Sequence, residues 1–552
     1  MKKLAFAIGW ALAASGQAQA PAPVTPGAAI TSPKPRLVVV IAIDQMRFDY
    51  LERFRHLFKG GLRTLLERGA SFTNARYRHA NCETGPGHSV MLSGRNGWHS
   101  GIIANGWFDA ALGRSVNVVD DGAMQPIGGA GRGASPAHFS GFTLGDMLKK
   151  VSPEAKVVGV ALKDRAAVLM AGTRADAAYW YEAGEGRFIT SSYYMKEPPS
   201  WLQAFNARGL PSVYAANGWT KLLTDESVYT RFAGEDAVAS EGDLKNITFP
   251  HTLAGAHGSP AFHDQFRFTP FADSLTLDMA LVAMTEHGLG VDDTPDVLAV
   301  GFSATDYIGH AFGPDSHEIM DQMLRLDLVI ARLIDAVETR AGRDRALFVL
   351  SADHGVMPLV ESLQKRGIAA KRVVPAELRA AVTAALGERF PGKQDLVANT
   401  SDPDFYLNLD AIARHGLRRA DVEKTIGDAL LATGVVAKIY TASSFAGEPP
   451  SQAADPYFDA VRRSYFGPRS PHVIARLKEY MYLTSSRGGT GHGSPYDYDS
   501  HVPLMFMGPG IRPGAYPAAT GPEDIAPTLG VLLGLDYPLQ DARRLLTEML
   551  HP

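Results

Sequence analysis

The chain has 552 residues, 45% of them hydrophobic and 20% charged, with a formal net charge of −4. That is ordinary globular composition, compatible with one very large domain carrying insertions or with two to three domains, and it lacks the basic balance a nucleic-acid partner requires. The single cysteine, Cys82, excludes an intramolecular disulfide and a cysteine-based zinc site.

Lys2 and Lys3 precede a short apolar run at 4–14, and Ala18-Gln19-Ala20 fits a small-residue cleavage site. Residues 1–20 read as a signal peptide cleaved after Ala20. The run is too short to span a bilayer comfortably. The expectation is an exported protein, in the bacterial periplasm or outside the cell, with no stable membrane insertion after cleavage; an uncleaved anchor is the alternative. Residues 21–35 are rich in Pro and Ala and read as a disordered linker to a folded part at 36–552.

The run Arg36-Leu37-Val38-Val39-Val40-Ile41-Ala42-Ile43 is continuous, apolar and β-branched, the signature of a parallel strand buried on both faces. It ends in Asp44. Ligands of open α/β sheets bind beyond the carboxyl ends of strands, so Asp44 reads equally as a metal ligand or as the cap of a helix within 48–66, broken at Gly60-Gly61. A short extended run at 70–75 leads to Asn81-Cys82-Glu83-Thr84-Gly85-Pro86-Gly87-His88-Ser89. Gly85 permits a tight turn, and Pro86 suits the first helical position. Thr84 then lies at a helix N-terminus, where N–H groups and the helix dipole favour an anion. It is a candidate nucleophile, or merely a helix cap. Asn105-Gly106 reads as a turn, 110–135 as Gly-rich loop and 142–151 as a helix starting near Ser140 or Thr143.

A second buried strand, Lys156 to Leu162, ends in Lys163-Asp164-Arg165, two cations that could clamp an anion or simply lie on the surface. Residues 171–270 show no parallel-strand pattern and read as an insertion that walls or caps a site. A helix follows at 274–287, then a strand at 296–302 that leads into Asp306-Tyr307-Ile308-Gly309-His310, then a long amphipathic helix at 316–340. The strand at 345–350 ends in Asp353-His354-Gly355. Residues 356–480 are mixed, with a helix at 420–432 and strands at 435–440 and 472–477, and read as a second, α+β insertion. His492 lies in the Gly-rich loop 488–495. Residues 502–507 read as the last core strand and 523–533 as a closing helix interrupted by Pro527. No internal repeat or coiled coil is visible.

Asp44, Asp306 and Asp353 each lie at or just past the carboxyl end of an expected parallel strand. His310 and His354 accompany two of them, and His492 sits in a loop. One sheet edge thus collects three carboxylates and three imidazoles, and Thr84 completes a mixed N/O donor set suited to zinc. Two ions roughly 3.5–4 Å apart would make a two-metal hydrolytic site.

The stretches Ile43-Asp44-Gln45-Met46-Arg47, Thr84-Gly85-Pro86-Gly87-His88, Asn105-Gly106-Trp107-Phe108-Asp109, Lys163-Asp164-Arg165, Asp306-Tyr307-Ile308-Gly309-His310, Asp353-His354-Gly355 and Gly491-His492-Gly493 resemble, in order, those of the PafA-type alkaline phosphatases, the single-chain members of the alkaline phosphatase superfamily with a threonine nucleophile. The resemblance implies an α/β three-layer sandwich, a mostly parallel central sheet flanked by helices with inserted cap segments. It implies two zinc ions (Zn2+) per chain, one held by Asp44, Asp353, His354 and the Thr84 oxygen, the other by Asp306, His310 and His492. Thr84 would form a phosphothreonine intermediate, and Asn105, Lys163 and Arg165 would contact the non-bridging phosphoryl oxygens. The substrates would be small-molecule phosphate monoesters, and a monomer is expected.

The nearest rival is a nucleotide pyrophosphatase or phosphodiesterase of the same superfamily. In the resemblance the Lys-x-Arg pair marks monoesterases, which favours the monoesterase. A sulfatase is rejected: Cys82 is not followed by the Pro and Arg of C-x-P-x-R, and reads as a small packed thiol. A non-catalytic zinc- or phosphate-binding protein would not need a nucleophile beside the ligands.

Overall fold

The computed structural model describes residues 33–242, 244–445 and 454–551. The expected signal peptide, and the linker up to residue 32, lie outside the described residues.

Five parallel strands form the centre of the sheet: β1 (Leu37–Ile43), β2 (Val157–Ala161), β3 (Ala177–Glu182), β4 (Asp296–Phe302) and β5 (Ala346–Ser351), in the order β5-β1-β4-β2-β3. β1 is the axis. Leu37 pairs with Asp296 on one side and with Ala346 on the other. Every residue of β1 is buried, because helices cover both faces of the sheet. Side chains alternate: Leu37, Val39, Ile41 and Ile43 join one apolar core, and Val38, Val40 and Ala42 the other. Each fully buried Val or Ile contributes about 1.5–3 kcal/mol relative to exposure. A continuous apolar run, rather than an alternating one, is what burial on both faces demands.

The first core is closed by Phe271–Glu286 and by the long helix His317–Ala341, through residues such as Leu275, Met279, Met323 and Ile330. The second is closed by Leu144–Val151 and Ile525–Leu533, through Leu144, Leu148, Ile525 and Leu529. The result is a three-layer α/β arrangement with a large, mostly parallel central sheet. The Leu144 helix starts at Thr143, whose side chain accepts from Asp146 N–H while the Asp146 carboxylate accepts from Thr143 N–H, a capping box.

The structure corrects several sequence expectations. Residues 171–270 do contain a parallel strand, since β3 pairs with β2 and then turns into the antiparallel strand Arg187–Ser191. β3 reads AAYWYE, so its apolar character comes from Ala and aromatics rather than from a Val/Ile run. The loop expected at 110–135 contains Arg114–Asn117, which forms a hairpin with Gly106–Asp109. The strand Leu504–Met507 is antiparallel and not the last; Gly514–Tyr516 follows it at the sheet edge, on Ala70–Phe72. Pro527 lies in the first turn of Ile525–Leu533, where no intrahelical N–H partner is lost, so it starts the helix instead of interrupting it.

Between 397 and 477 an antiparallel sheet, ordered Val397–Ser401, Asp404–Leu407, Val473–Leu477, Val436–Thr441, packs with Pro375–Arg389 and Arg419–Ala432 around its own core. The segments on either side of that unit, Lys371–Val373 and Met481–Leu483, pair in parallel.

Candidate active site

The carboxyl ends of β1, β4 and β5 point the same way, so the residues after them meet. Asp44 directly follows β1. Gln45 next to it adopts φ 64, a left-handed turn that reverses the chain. That turn lets Gln45 N–H donate to Asp353 Oδ1 and its side-chain amide donate to Asp306 Oδ1, both at 2.9 Å. Gln45 therefore ties together the strand ends that carry all three aspartates. Sequence reasoning assigned it no role; its place beside Asp44 in a shared motif was the available signal.

Helix α1 (Thr84–Ser93) enters over these ends with Glu83 at its N-cap. Thr84, not Pro86, occupies the first helical position; Pro86 is third, still inside the turn where N–H groups lack intrahelical partners. Gly87 is obligatory, because a Cβ there would overlap the main chain of Asp353. His88, one turn after Thr84, was also missed. Its Nδ1 lies 2.9 Å from Thr84 O and 3.4 Å from Asp353 Oδ2, and its Nε2 3.1 Å from Asp44 Oδ1. The i, i+4 spacing from Thr84 was the sequence signal for it.

Helix α2 (Asp164–Ala171) follows β2 and carries Lys163 at its N-cap. Lys163 is 5% exposed, and its Nζ lies 2.6 Å from Asp306 Oδ2, 2.9 Å from Asp44 Oδ2 and 3.4 Å from Thr84 Oγ1. Arg165 NH2 also lies 3.4 Å from Thr84 Oγ1. Burial works against the Lys163 charge, but Asp306 and Asp44 hold its ammonium above the ordinary lysine value. Burial alone would raise the Asp44 carboxyl, yet Lys163 and His88 outweigh it and keep Asp44 below the usual carboxylate range. The expected pair of cations at this strand end is therefore aimed inward at the Thr84 hydroxyl.

Helix α3 (Ala304–Phe312) places Asp306 and His310 one turn apart, with His310 Nε2 3.4 Å from Asp306 Oδ1. His354 Nε2 lies 3.2 Å from Asp353 Oδ2 and 4.0 Å from Asp306 Oδ1, and His492 Nε2 lies 3.7 Å from Asp306 Oδ1. Among the described residues, two donor groups have ligand atoms within 4.8 Å of one another: Asp44 with His88 and Asp353, and Asp306 with His354 and His492. That division differs from the sequence expectation in three respects: His88 joins the first group, His354 falls with Asp306 and His492 although it also lies 3.2 Å from Asp353, and His310 is in neither group.

These residues fit bound cations. Nδ1 of His310, His354 and His492 lies 2.8, 2.9 and 2.8 Å from the carbonyls of Thr490, Gly355 and Cys82, respectively. With Nδ1 of each ring on a backbone carbonyl, Nε2 is the nitrogen turned toward carboxylate oxygens, the orientation of a histidine that shares a cation with them. Both Asp44 oxygens, Asp353 Oδ2 and His354 Nε2 are buried without a hydrogen bond. The Lys163 ion pair to Asp44 is close but poorly aligned, so it does not satisfy that carboxylate. Asp353 pushes the His354 imidazole up to about 9 against the effect of burial. Cys82 is buried, with its Sγ 3.7 Å from His79 O, and contributes no thiol to either group.

Asn105 faces the N-terminus of α1, where its Oδ1 accepts from Gly85 N–H at 2.7 Å. A cavity of about 300 Å³ opens beside Glu83, Gly106 and His492, and another of about 490 Å³ beside His310, Thr490, Phe268 and Tyr482. The Gly-rich loop bearing His492 contributes to the walls of both.

A family model described as type I phosphodiesterase / nucleotide pyrophosphatase matches residues 38–501. The chain is 34% identical over 526 residues to alkaline phosphatase PafA of Elizabethkingia meningoseptica, covering 94% of this chain and 95% of that one. It is 31% identical over 528 residues to alkaline phosphatase PhoV of Synechococcus elongatus, covering 94% of both chains. The crystal structure of wild-type PafA superposes with a TM-score of 0.87 at 33% identity, over 94% of this chain and 99% of that chain. A murine ectonucleotide pyrophosphatase / phosphodiesterase, at 14% identity and a TM-score of 0.51, shares the fold.

Proposed function

The chain belongs to the PafA-type alkaline phosphatases, within the type I phosphodiesterase / nucleotide pyrophosphatase family, and is a phosphoric monoester hydrolase; from that premise we propose that Thr84 is its nucleophile and that hydrolysis passes through a phosphothreonine. The observation that carries this reading is the Thr84 hydroxyl, held at a helix N-terminus with Lys163 Nζ and Arg165 NH2 each 3.4 Å away.

Thr84 Oγ attacks phosphorus as the ester oxygen leaves from the opposite side, the hydroxyl proton ending on the released alcohol; water then attacks the phosphothreonine, returning the Thr84 hydroxyl and releasing phosphate. Phosphoryl transfer has a loose transition state with charge spread over the non-bridging oxygens, so catalysis is mainly positioning and charge stabilisation. The N-terminus of α1, the Asn105 amide, the Lys163 ammonium and the Arg165 guanidinium meet those oxygens. The extra charge of a monoester dianion relative to a diester suits two cations in one place. Two zinc ions fit the donor set: Asp44, Asp353, His354 and Thr84 would hold one, and Asp306, His310 and His492 the other. Bound there, they would lower the pKa of the Thr84 hydroxyl and stabilise the leaving oxygen. We also propose an exported enzyme, on the charged, apolar and small-residue features of 1–20, acting as a monomer.

The matching family model is named for phosphodiesterases and nucleotide pyrophosphatases, so the balance between monoester and diester is the quantity to measure. Zinc-loaded mature protein, assayed on p-nitrophenyl phosphate and bis-p-nitrophenyl phosphate with Thr84→Ala as control, separates the two. Monoester preference, abolished in the variant, supports the proposal; diester preference overturns it.

A further inference from the structure

Asn105 is tied down at three of its four polar groups. Its main-chain N–H donates to Glu83 Oε2 at 2.7 Å, its side-chain Oδ1 accepts from Gly85 N–H at 2.7 Å, and its carbonyl accepts from Val118 N–H at 3.0 Å. An amide oxygen committed to an N–H donor turns the NH2 group of the same side chain the other way. Glu83 is the residue just before Thr84. It occupies the N-cap of α1, where a polar side chain ordinarily accepts from its own helix, yet it makes no such bond. Its carboxylate reaches instead to the segment bearing Asn105. The helix dipole favours a carboxylate at this end, but there it competes with the phosphoryl anion for the same positive end. Keeping it there fits a task that needs the length of the side chain and a strong acceptor.

We infer that Glu83 is a positioning residue: its bond to Asn105 N–H sets the Asn105 amide on Gly85, with the NH2 group directed at the phosphoryl oxygens. This rests on the reading of Thr84 and Asn105 given above. Glu83 itself touches no reacting atom. It couples the residue before the nucleophile to the donor that meets the substrate, so α1 and the 105 segment keep one spacing.

The test uses the zinc-loaded mature enzyme with p-nitrophenyl phosphate as substrate and inorganic phosphate as inhibitor. The variants are Asn105→Ala, Glu83→Ala, Glu83→Gln, Glu83→Asp and the double variant Glu83→Ala/Asn105→Ala. Zinc content and Tm are measured on each, and both stay at wild-type values. Asn105→Ala lowers kcat/KM by about 100-fold, the scale for one donor to a charged transition state. Glu83→Ala produces a loss of the same order, and the double variant is within about twofold of Asn105→Ala alone. Phosphate inhibition weakens in parallel. Glu83→Gln keeps the reach and an acceptor oxygen and retains most of the activity. Glu83→Asp keeps the charge without the reach and behaves like Glu83→Ala. Multiplying losses in the double variant would show that Glu83 acts independently of Asn105 and overturn the inference, while the Asn105 reading stands. Full activity in Glu83→Ala, or an active Asp variant beside an inactive Gln variant, would overturn it too. Full activity in Asn105→Ala would remove the reading on which the inference rests, and the inference with it.

Discussion

The ammonium of Lys163 lies 2.6 Å from Asp306 Oδ2, and the same nitrogen reaches Asp44 Oδ2 at 2.9 Å. One buried cation thus spans the carboxylates of both candidate metal groups and stands 3.4 Å from the Thr84 hydroxyl. Removing it strips charge from the place where phosphoryl oxygens gather. Lys163→Ala is expected to lower kcat/KM for a phosphate monoester by about 100- to 1,000-fold. A diester, with one fewer charge, loses less. The ratio of the two losses in parallel steady-state assays checks this; equal losses would leave the cation without a role in monoester recognition.

Thr84→Ser keeps a hydroxyl and is expected to retain measurable turnover, whereas Thr84→Ala removes it. A proposed phosphothreonine gives a direct readout. Acid-quenching the wild-type enzyme during turnover and mapping its peptides by mass spectrometry should find phosphate on the peptide containing Thr84, and none on that peptide from the alanine variant.

Metal removal should cost both activity and stability. Asp44, Asp306 and Asp353 are buried close together, and the single charge of Lys163 offsets only part of their mutual repulsion. Zinc held at 1,000 times its Kd would stabilise the fold by about 4 kcal/mol. Dialysis against EDTA is expected to abolish turnover and lower Tm, and added zinc to restore both. An unchanged Tm would mean that the ions do not hold these side chains.

His88 sits with no exposed surface between Asp44 and Asp353. His88→Leu fills similar space without the ring nitrogens. Leaving buried polar partners unsatisfied by removing the group between them costs about 1–3 kcal/mol. A lower Tm with weaker zinc retention is expected, measured by thermal melts and metal analysis after gel filtration. Wild-type zinc retention would assign His88 to α1 packing alone.

Glu241 is pushed up to about 10 by burial, with the Glu318 and Asp236 charges adding to the effect. Its segment also braces the site: Gly242 N–H donates to Ala311 O at 2.7 Å and Gly489 N–H to Ser240 O at 2.9 Å, next to His310 and within the His492 loop. In the unfolded chain a glutamate titrates near about 4.3. Between that value and about 10 the native state binds more protons at this residue than the unfolded chain does, so its contribution makes stability fall as pH rises, with the loss complete above 10. Glu241→Gln is expected to raise Tm at pH 9 and to flatten the Tm–pH curve, with little change at pH 4. An unaltered slope in differential scanning calorimetry would contradict this.

The buried strands were legible because burial on both faces leaves a mark in local sequence: seven consecutive apolar residues at β1, and similar runs at β2, β4 and β5. The aspartates were legible because each directly follows, or lies a few residues past, such a run. β3 escaped because its run, AAYWYE, lacks the Val/Ile stretch that marks the other buried strands, and pairing with β2 is what shows it to be parallel. Gln45 and His88 escaped because a glutamine or histidine inside a motif does not say what it touches.

By itself the sequence determined the fold class, the family resemblance and the identity of the residues at the strand ends. Periodicity and chain order are local properties, and a parallel sheet converts them into a common edge. Only the tertiary structure decided which atoms meet there. It turned Lys163 inward between two carboxylates, set His354 between two donor groups, and brought Glu83 to the main chain of Asn105. Those contacts join residues from different strands, helices and loops, so they depend on distances that no local pattern encodes.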